Sequence, residues 1–196
     1  MWIYAAFVLY SLSLSSGING QSVVCPDDVT MTVTSVQDEV AVSWADPTPD
    51  GTPLMMESSR TNGSMFGVGR HAVLYTVDYT GGVSVMCFFY VIITADDGRA
   101  GPNINRCPTS RTPQTYEAFN NVNCSLPYDP PFVSQTMVTF TSTHTPQDTF
   151  EVGTYHVVYT FTNVQGFVSE CVIPITVTRK CVSCFHCNKC RPNIID

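Results

Sequence analysis

The sequence predicts an all-β chain made of two tandem antiparallel β-sandwiches, each stabilised by its own disulfide bond. Three observations lead to this fold class. A block of residues occurs twice, β-branched and aromatic residues alternate with polar ones in both copies, and two cysteines occupy matching positions in each copy. Short strands separated by Gly and Pro turns favour antiparallel sandwiches over a parallel sheet.

The repeated block contains a Phe-x-Val-Gly turn, a strand with Tyr-Thr at its centre, a Gly and a Cys. Its landmarks recur 84 residues apart, in the pairs Val68 and Val152, Tyr75 and Tyr159, Gly82 and Gly166, and Cys87 and Cys171. Four landmarks at one offset, with no gap between them, indicate two copies of one module.

The repeat divides the chain into five segments. Residues 1–20 are predicted to be a cleaved signal peptide, because their apolar stretch of about a dozen residues is shorter than the roughly 20 that a membrane anchor, the alternative, needs. Residues 21–95 form module one, and residues 96–105 form a linker with Gly and Pro. Residues 106–180 form module two, and residues 181–196 form a cysteine-rich tail.

Alternation of apolar and polar residues predicts the strands of both modules. The predicted strands are 29–34, 39–44, 71–78 and 83–94 in module one, and 137–143, 155–162 and 167–178 in module two. No stretch combines helical periodicity with helix caps.

The cysteines indicate an oxidising compartment, since nine of them in an exported chain of this size predict disulfide bonds. Cys25 and Cys107 each precede a Pro and open a module, whereas Cys87 and Cys171 lie in the last strand of each. The repeat therefore favours the pairs Cys25–Cys87 and Cys107–Cys171. Each would stabilise the fold by roughly 4 kcal/mol on the chain-entropy model.

At these positions the chain resembles the hyalin repeat (HYR) family. Module one carries its motifs as Cys25-Pro26-Asp27, Val42-Ser-Trp44, Asp46-Pro47, Phe66-x-Val68-Gly69, Val73-x-Tyr75-Thr76, Asp78, Gly82 and Cys87. Module two carries Cys107-Pro108, Phe150-x-Val152-Gly153, Val157-x-Tyr159-Thr160, Gly166 and Cys171. Module two departs from the family pattern at two positions. The Trp position falls near Leu126, and Thr162 replaces Asp78.

The resemblance implies an immunoglobulin-like sandwich related to fibronectin type III modules. It also implies an extracellular protein associated with adhesion, and the family offers no catalytic residues to carry over. We therefore expect a secreted interaction or adhesion protein with an extracellular protein or matrix partner. The alternative is a structural matrix component crosslinked by disulfide bonds.

Composition argues against other classes of function. A net charge of −7 with only nine Lys and Arg disfavours nucleic acid and anionic membrane surfaces, which need a basic patch. No segment after the signal is long and apolar enough to span a membrane. The chain has no His-x-x-x-His, nucleophile elbow or Gly-rich phosphate loop, so we expect no enzyme, no cofactor and no metal site in the modules.

Five cysteines lie outside the predicted pairs. Four form a repeated C-x2-C pattern in the tail, at Cys181, Cys184, Cys187 and Cys190. Disulfide bonds are the favoured reading, with a zinc site that includes His186 and an Fe–S cluster as alternatives. Cys124 is either a buried free thiol or a link to a second chain, which would give a disulfide-linked oligomer.

Two sequons predict N-glycosylation, at Asn62-Gly-Ser64 and Asn123-Cys-Ser125. Asn62 is favoured, because it lies in a Gly-containing loop just before a strand. Asp96 and Asp97, beside the linker, are the best candidates for a calcium ion, although turn formation explains such residues more often.

Overall fold

The computed structural model describes residues 14–16, 20–35, 39–119, 124–180 and 191–192. Within these residues the chain is all-β and forms no helix, which confirms the predicted fold class. Most of the predicted signal, Asn123 and the four tail cysteines lie outside the described residues.

The described part of the chain forms eighteen strands. They are β1 (Leu14–Ser16), β2 (Ser22–Val24), β3 (Val29–Val33), β4 (Val40–Ala41), β5 (Thr48–Pro49), β6 (Met55–Ser58), β7 (Met65–Phe66), β8 (Gly69–Tyr79), β9 (Val83–Ala95), β10 (Ile104–Asn105), β11 (Gln114–Phe119), β12 (Cys124–Ser125), β13 (Phe132–Val133), β14 (Thr139–Ser142), β15 (Thr149–Phe150), β16 (Gly153–Thr162), β17 (Val168–Lys180) and β18 (Arg191–Pro192).

The first half of the chain is organised around the long β8–β9 hairpin. Its antiparallel register pairs Tyr75 with Cys87, and the connecting turn contains Gly81 and Gly82, both at positive φ. Glycine adopts this backbone conformation without steric cost, which explains why the turn can be so tight. Strand β6 pairs with β8, and β3 runs parallel to β9 on the other side. The short pairs β2–β5 and β4–β7 complete this half, and β1 adds to β2.

The second half repeats five of these strand pairings. The β16–β17 hairpin pairs Tyr159 with Cys171, at the same register as its counterpart in the first half. Strand β14 pairs with β16 as β6 does with β8, and β11 runs parallel to β17 as β3 does to β9. The pairs β12–β15 and β10–β13 correspond to β4–β7 and β2–β5.

Each half has its own hydrophobic core and its own disulfide bond. The cores are built on the inward faces of the two hairpins and contain Trp44 and Phe89 in the first half and Tyr128 and Phe150 in the second. The disulfide bonds are Cys25–Cys87 and Cys107–Cys171, the pairs that the repeat predicts.

The counterpart of Trp44 is Tyr128, so the sequence-based placement of this position near Leu126 is wrong. Leu126 corresponds instead to Val42, and both side chains are fully buried. Leu126 and Tyr128 are two residues apart, and side chains two apart on an extended chain point to the same side. Both are buried in the second core, so alternation alone did not distinguish them.

The two halves share one continuous sheet. The start of β17 runs parallel to the start of β8, with Val168 opposite Gly69 and Ser169 opposite Arg70. Phe167, from the second half, packs into the core of the first. Within the predicted linker, 96–105, the last two residues form β10 and pair with β13 of the second half.

Candidate functional site

The outer faces of the two hairpins meet at a buried junction between the halves. Ala72, Phe88 and Tyr90, from the first half, form a separate apolar cluster with Val172 from the second. A strand with one solvent-exposed face normally alternates between apolar and polar residues. The apolar run 85–93 does not alternate in this way, and its strand is buried on both faces. This unbroken run is therefore the sequence feature that indicates the junction.

Two backbone N–H groups at the junction donate hydrogen bonds to side-chain acceptors of the opposite half. The N–H of Ala72 donates to the Glu170 carboxylate at 2.6 Å, and the N–H of Val172 donates to the Tyr90 hydroxyl at 3.0 Å. A buried donor that loses its acceptor costs about 1–3 kcal/mol, so these bonds favour one relative placement of the halves.

Arg70 adds a cation–π contact at the same place. Its guanidinium carbon lies 3.6 Å from the centre of the Tyr90 ring, and its Nη1 lies 3.7 Å from Cys107 Sγ. Burial raises the pKa of Tyr90, while the positive charge of Arg70 acts in the opposite direction. The second disulfide bond therefore lies directly beside the junction.

A second polar link is built around Asp28. Its carboxylate accepts from the Tyr90 N–H at 2.8 Å and from Arg111 at 2.6 Å. Arg111 also donates to the carbonyl of Pro26 at 2.9 Å. This side chain from the second half thus holds the segment that follows Cys25 in the first.

Two glycines allow the close approach of the backbones. A Cβ atom at Gly69 or at Gly101 would lie far inside van der Waals contact with the carbonyl oxygen of Val168. Gly153 is the repeat counterpart of Gly69, and there a Cβ atom would approach no atom closer than 3.5 Å. The close contact at Gly69 and Gly101 is therefore a feature of the junction, and at Gly69 the positive φ of 151° favours glycine in addition.

Two histidines are partly buried, and their pKa values fall for that reason. His156 meets the edge of Phe88 at a centroid distance of 5.3 Å, and burial lowers the pKa of its imidazole to about 4. Burial also lowers the pKa of His71, whose Nε2 lies 3.0 Å from the carbonyl oxygen of Gly67. Both rings are thus neutral at physiological pH and serve packing.

The predicted glycosylation site Asn62 has an exposed side chain in the described part of the chain. Its amide oxygen accepts from the Trp44 N–H at 3.2 Å, and its amide nitrogen donates to the Trp44 carbonyl at 2.7 Å. The second sequon residue, Asn123, lies outside the described residues. Glycosylation at both positions stays a prediction.

Asp97, one of the two candidate calcium residues, is hydrogen-bonded to Arg99. Both carboxylate oxygens of Asp97 accept from Arg99, at 3.1 Å from its backbone N–H and at 2.8 Å from Nε. These bonds lower the pKa of the Asp97 carboxyl. The described residues contain no group of three or more His, Cys, Asp and Glu placed to hold a metal ion.

Each half also has an open sheet edge. We call strand β6, Met55–Ser58, the first edge and strand β14, Thr139–Ser142, the second edge. In the described residues each pairs with one neighbour, β8 or β16. Large apolar side chains are exposed at repeat-equivalent positions of the two edges, Met56 at 38% and Phe140 at 64%. The sequence predicts a strand over 137–143, but it does not indicate that one side of this strand has no neighbouring strand among the described residues.

A comparison with known families matches part of the chain. The family model of the HYR domain matches residues 21–93. No curated protein sequence matches the chain. The match covers the first half, in agreement with the immunoglobulin-like fold and the disulfide bonds described above. It suggests an extracellular, adhesion-like module. The described part of the chain contains no helix of the length and hydropathy that a membrane span requires.

Proposed function

We propose that the chain is a secreted, non-catalytic interaction protein built from two HYR modules that are docked as one unit. Its partner would be an extracellular protein or a matrix component. The observation that carries the proposal is the HYR match to residues 21–93 together with the repetition of that half's strand pairings in the second half.

Side-chain hydrogen bonds support a second copy of the module beyond its strand order. Ser59 accepts from the N–H of Leu74 at 2.9 Å. Thr143 accepts from the N–H of Val158 at 3.0 Å, in the equivalent place. Such a bond between a loop hydroxyl and a strand N–H is not required by a generic β-sandwich, so its recurrence favours common descent of the two halves.

The docked junction suggests how the protein would present its binding surfaces. Separate modules on a mobile linker would sample many orientations, whereas the bonds at Glu170, Tyr90 and Arg111 oppose such motion. A rigid pair displays its loops and sheet edges at fixed spacing. A partner that contacts both modules then loses less conformational freedom on binding.

Secretion of the chain is the first test of the proposal. The chain is expressed with its own N terminus in cultured eukaryotic cells, and the culture medium and the cell lysate are assayed for it. We expect the protein in the medium, shortened by about 20 residues, which matches the length of a signal peptide. Retention of the uncleaved chain inside the cells would contradict a secreted protein.

Adhesion is measured on surfaces coated with the purified secreted protein. The matched control is the same protein after reduction and alkylation, which removes the folded surface but keeps the composition. We expect more cells to attach to the folded protein than to the control. Equal attachment to both surfaces would refute an adhesive role that depends on the folded modules.

The number of cysteines favours a second candidate, a structural component crosslinked between chains. Nine is an odd number, and four of the nine lie in Cys25–Cys87 and Cys107–Cys171. The other five cysteines of this sequence cannot all pair with one another, so one of them can bond to a second chain. Covalent multimers of the secreted protein on a non-reducing gel would favour this candidate, and a monomer band alone would exclude it.

A further inference from the structure

We propose that the side-chain amide of Asn62 has two mutually exclusive roles. In the unmodified chain it pairs with the backbone of Trp44, and in the secreted protein it carries an N-linked glycan that displaces this pairing. The second role rests on the proposed secretion, because glycans of this kind are added in the secretory pathway. The sequon Asn62-Gly-Ser64 by itself predicts the modification but not its structural consequence.

The amide of Asn62 continues a strand ladder in the place of a backbone group. Strand β4 pairs with β7, and just after β4 the N–H of Val42 donates to the carbonyl of Ser64 at 3.1 Å. Two residues further on, the Trp44 N–H donates to Oδ1 of Asn62 at 3.2 Å, and Nδ2 donates to the Trp44 carbonyl at 2.7 Å. Asn62 therefore holds turn 61–64 against the segment that carries the core tryptophan.

The bond from Nδ2 to the Trp44 carbonyl uses one particular hydrogen of the amide. An amide group is planar, and Oδ1 and Nδ2 of Asn62 both face the backbone of the same residue. The hydrogen that Nδ2 donates must then lie on the same side of the Cγ–Nδ2 bond as Oδ1. A substituent on an amide nitrogen strongly prefers the position trans to the carbon chain, which is this same position. A sugar carbon on Nδ2 would therefore replace the bonding hydrogen and collide with the Trp44 carbonyl.

The glycan is transferred while the chain is still unfolded. Nδ2 of Asn62 attacks C1 of a lipid-linked diphosphate oligosaccharide. The Nδ2–C1 bond forms, the bond between C1 and the diphosphate oxygen breaks, the lipid diphosphate leaves and Nδ2 gives up one proton. The transfer needs no oxidant or reductant. The pairing with Trp44 thus cannot protect Asn62 during synthesis, and the chain folds with the sugar already attached.

The second half of the chain forms the equivalent turn without an asparagine. Its turn 145–148 has Pro146 in the place of Asn62, at the offset of 84 residues. Both turns are closed by the same backbone hydrogen bond, from the N–H of the last residue to the carbonyl of the first, at 3.0 Å in each. Loss of the Asn62 amide bonds should therefore leave its turn closed, so a glycan is compatible with the folded module.

The surroundings of Asn62 leave room for a sugar. Asn62 and its neighbours Thr61 and Gly63 are exposed, and a Cβ atom built on Gly63 would meet no atom of the described residues within 4 Å. The equivalent turn of the second half, 145–148, has no sequon. A glycan on Asn62 would therefore cover one of two equivalent turns and leave the other open to a partner.

Peptide mapping of the protein made in cultured eukaryotic cells tests the modification. Glycans are released with peptide-N-glycosidase F in heavy-oxygen water, which converts a glycosylated asparagine into labelled aspartate. We expect the label at Asn62 in protein from the medium. Unlabelled Asn62 in secreted protein would overturn this proposal and leave the proposed secretion intact. A chain retained in the cells with unlabelled Asn62 would contradict both.

Hydrogen exchange at the backbone N–H of Trp44 tests whether the two roles exclude each other. Ser64→Ala removes the sequon and keeps the Asn62 amide, and Ser64→Thr is the matched control that keeps both. NMR measures the exchange rate of the Trp44 N–H. We expect exchange to be roughly tenfold slower in Ser64→Ala than in the glycosylated wild type, because only the unmodified amide accepts from this N–H. Ser64→Thr should resemble the wild type.

The substitution itself cannot produce the expected result. Ser64→Ala also removes the hydrogen bond from the Ser64 hydroxyl to the Thr61 carbonyl, at 2.7 Å. That loss would loosen turn 61–64 and speed exchange, whereas we expect slower exchange. Equal exchange rates in the glycosylated wild type and in Ser64→Ala would mean that the pairing survives the glycan, and would overturn the proposal. Circular dichroism of each variant verifies that it is folded.

Discussion

The indole Nε1 of Trp44 donates a hydrogen bond to the hydroxyl of Tyr75 across 2.7 Å in the core of the first half. In the second half the hydroxyls of Tyr128 and Tyr159 lie 3.3 Å apart at the equivalent positions. Both halves thus place a polar contact between an aromatic residue and the central tyrosine of the long hairpin. The two halves differ in whether the other aromatic residue still has a hydrogen-bond acceptor when the hydroxyl of the central tyrosine is removed.

Tyr75→Phe should destabilise the first half markedly, because it leaves the buried Trp44 N–H without its acceptor. We expect a loss of about 1–3 kcal/mol in the free energy of unfolding. Urea titration followed by tryptophan fluorescence measures it. The chain has two tryptophans, so after removal of residues 1–20 Trp44 is the single reporter.

Tyr159→Phe is the matched control for that change. The Tyr128 hydroxyl also lies 3.3 Å from the carbonyl oxygen of His144, to which it can still donate. We therefore expect a smaller loss than in the first half, measured by circular dichroism. Losses of the same size for both variants would show that the alternative acceptor does not matter.

Removal of either disulfide bond should destabilise the protein by about 2–5 kcal/mol, the range for a native bond in a small secreted domain. The two loops are of nearly equal length, with sequence separations of 62 and 64. Cys107 also contacts Arg70 at the junction, so Cys107→Ala/Cys171→Ala should disturb the first half as well. A fall in the Trp44 unfolding midpoint would reveal this effect, and an unchanged midpoint would contradict it.

Gly101→Ala should weaken the junction, because its Cβ atom would collide with the carbonyl oxygen of Val168. Overpacking of this kind costs about 1–3 kcal/mol. Gly153→Ala is the control, since its Cβ atom would meet no atom within 3.4 Å. Thermal unfolding should separate the two variants. A Gly101→Ala protein as stable as Gly153→Ala would argue against close docking.

Stability should fall with acid below neutral pH because of His156. Burial lowers the pKa of its ring in the folded state to about 4, from the ordinary value of 6.5 that the unfolded chain retains. The unfolded state therefore takes up the proton first. The stabilisation is complete above pH 6.5 and is lost as the pH falls towards 4, by up to about 1.4 kcal/mol per pH unit.

The comparison with His156→Gln isolates that contribution. The variant lacks the titrating ring, so its free energy of unfolding should decline less steeply than that of the wild type between pH 6.5 and pH 4. Urea titrations at several pH values give both slopes. Parallel slopes would mean that the His156 ring takes up its proton equally in the folded and unfolded states.

The sequence predicted the fold class and both disulfide bonds, because these depend on local alternation and on a repeat without gaps. The long strands follow from the same local signals. The position of Tyr128 was misplaced by two residues, since the alternation is the same at Leu126. A strict offset of 84 residues from Trp44 would have found it.

The junction could not be predicted in the same way. Its contacts join residues far apart in the chain, such as Ala72 and Glu170, and no local pattern pairs them. One signal was present: the strand that contains Phe88 and Tyr90 lacks the polar alternation expected for a solvent-exposed face. The openness of the second edge likewise depends on which strands lie beside it, and local alternation does not report that.

A non-reducing peptide map of the protein secreted by eukaryotic cells tests the central claim most directly. Two disulfide-bonded modules in an extracellular chain predict one linked peptide pair with Cys25 and Cys87 and another with Cys107 and Cys171, in protein recovered from the medium. A peptide that links Cys25 to Cys107, or a chain that stays in the cell with these thiols reduced, would contradict it.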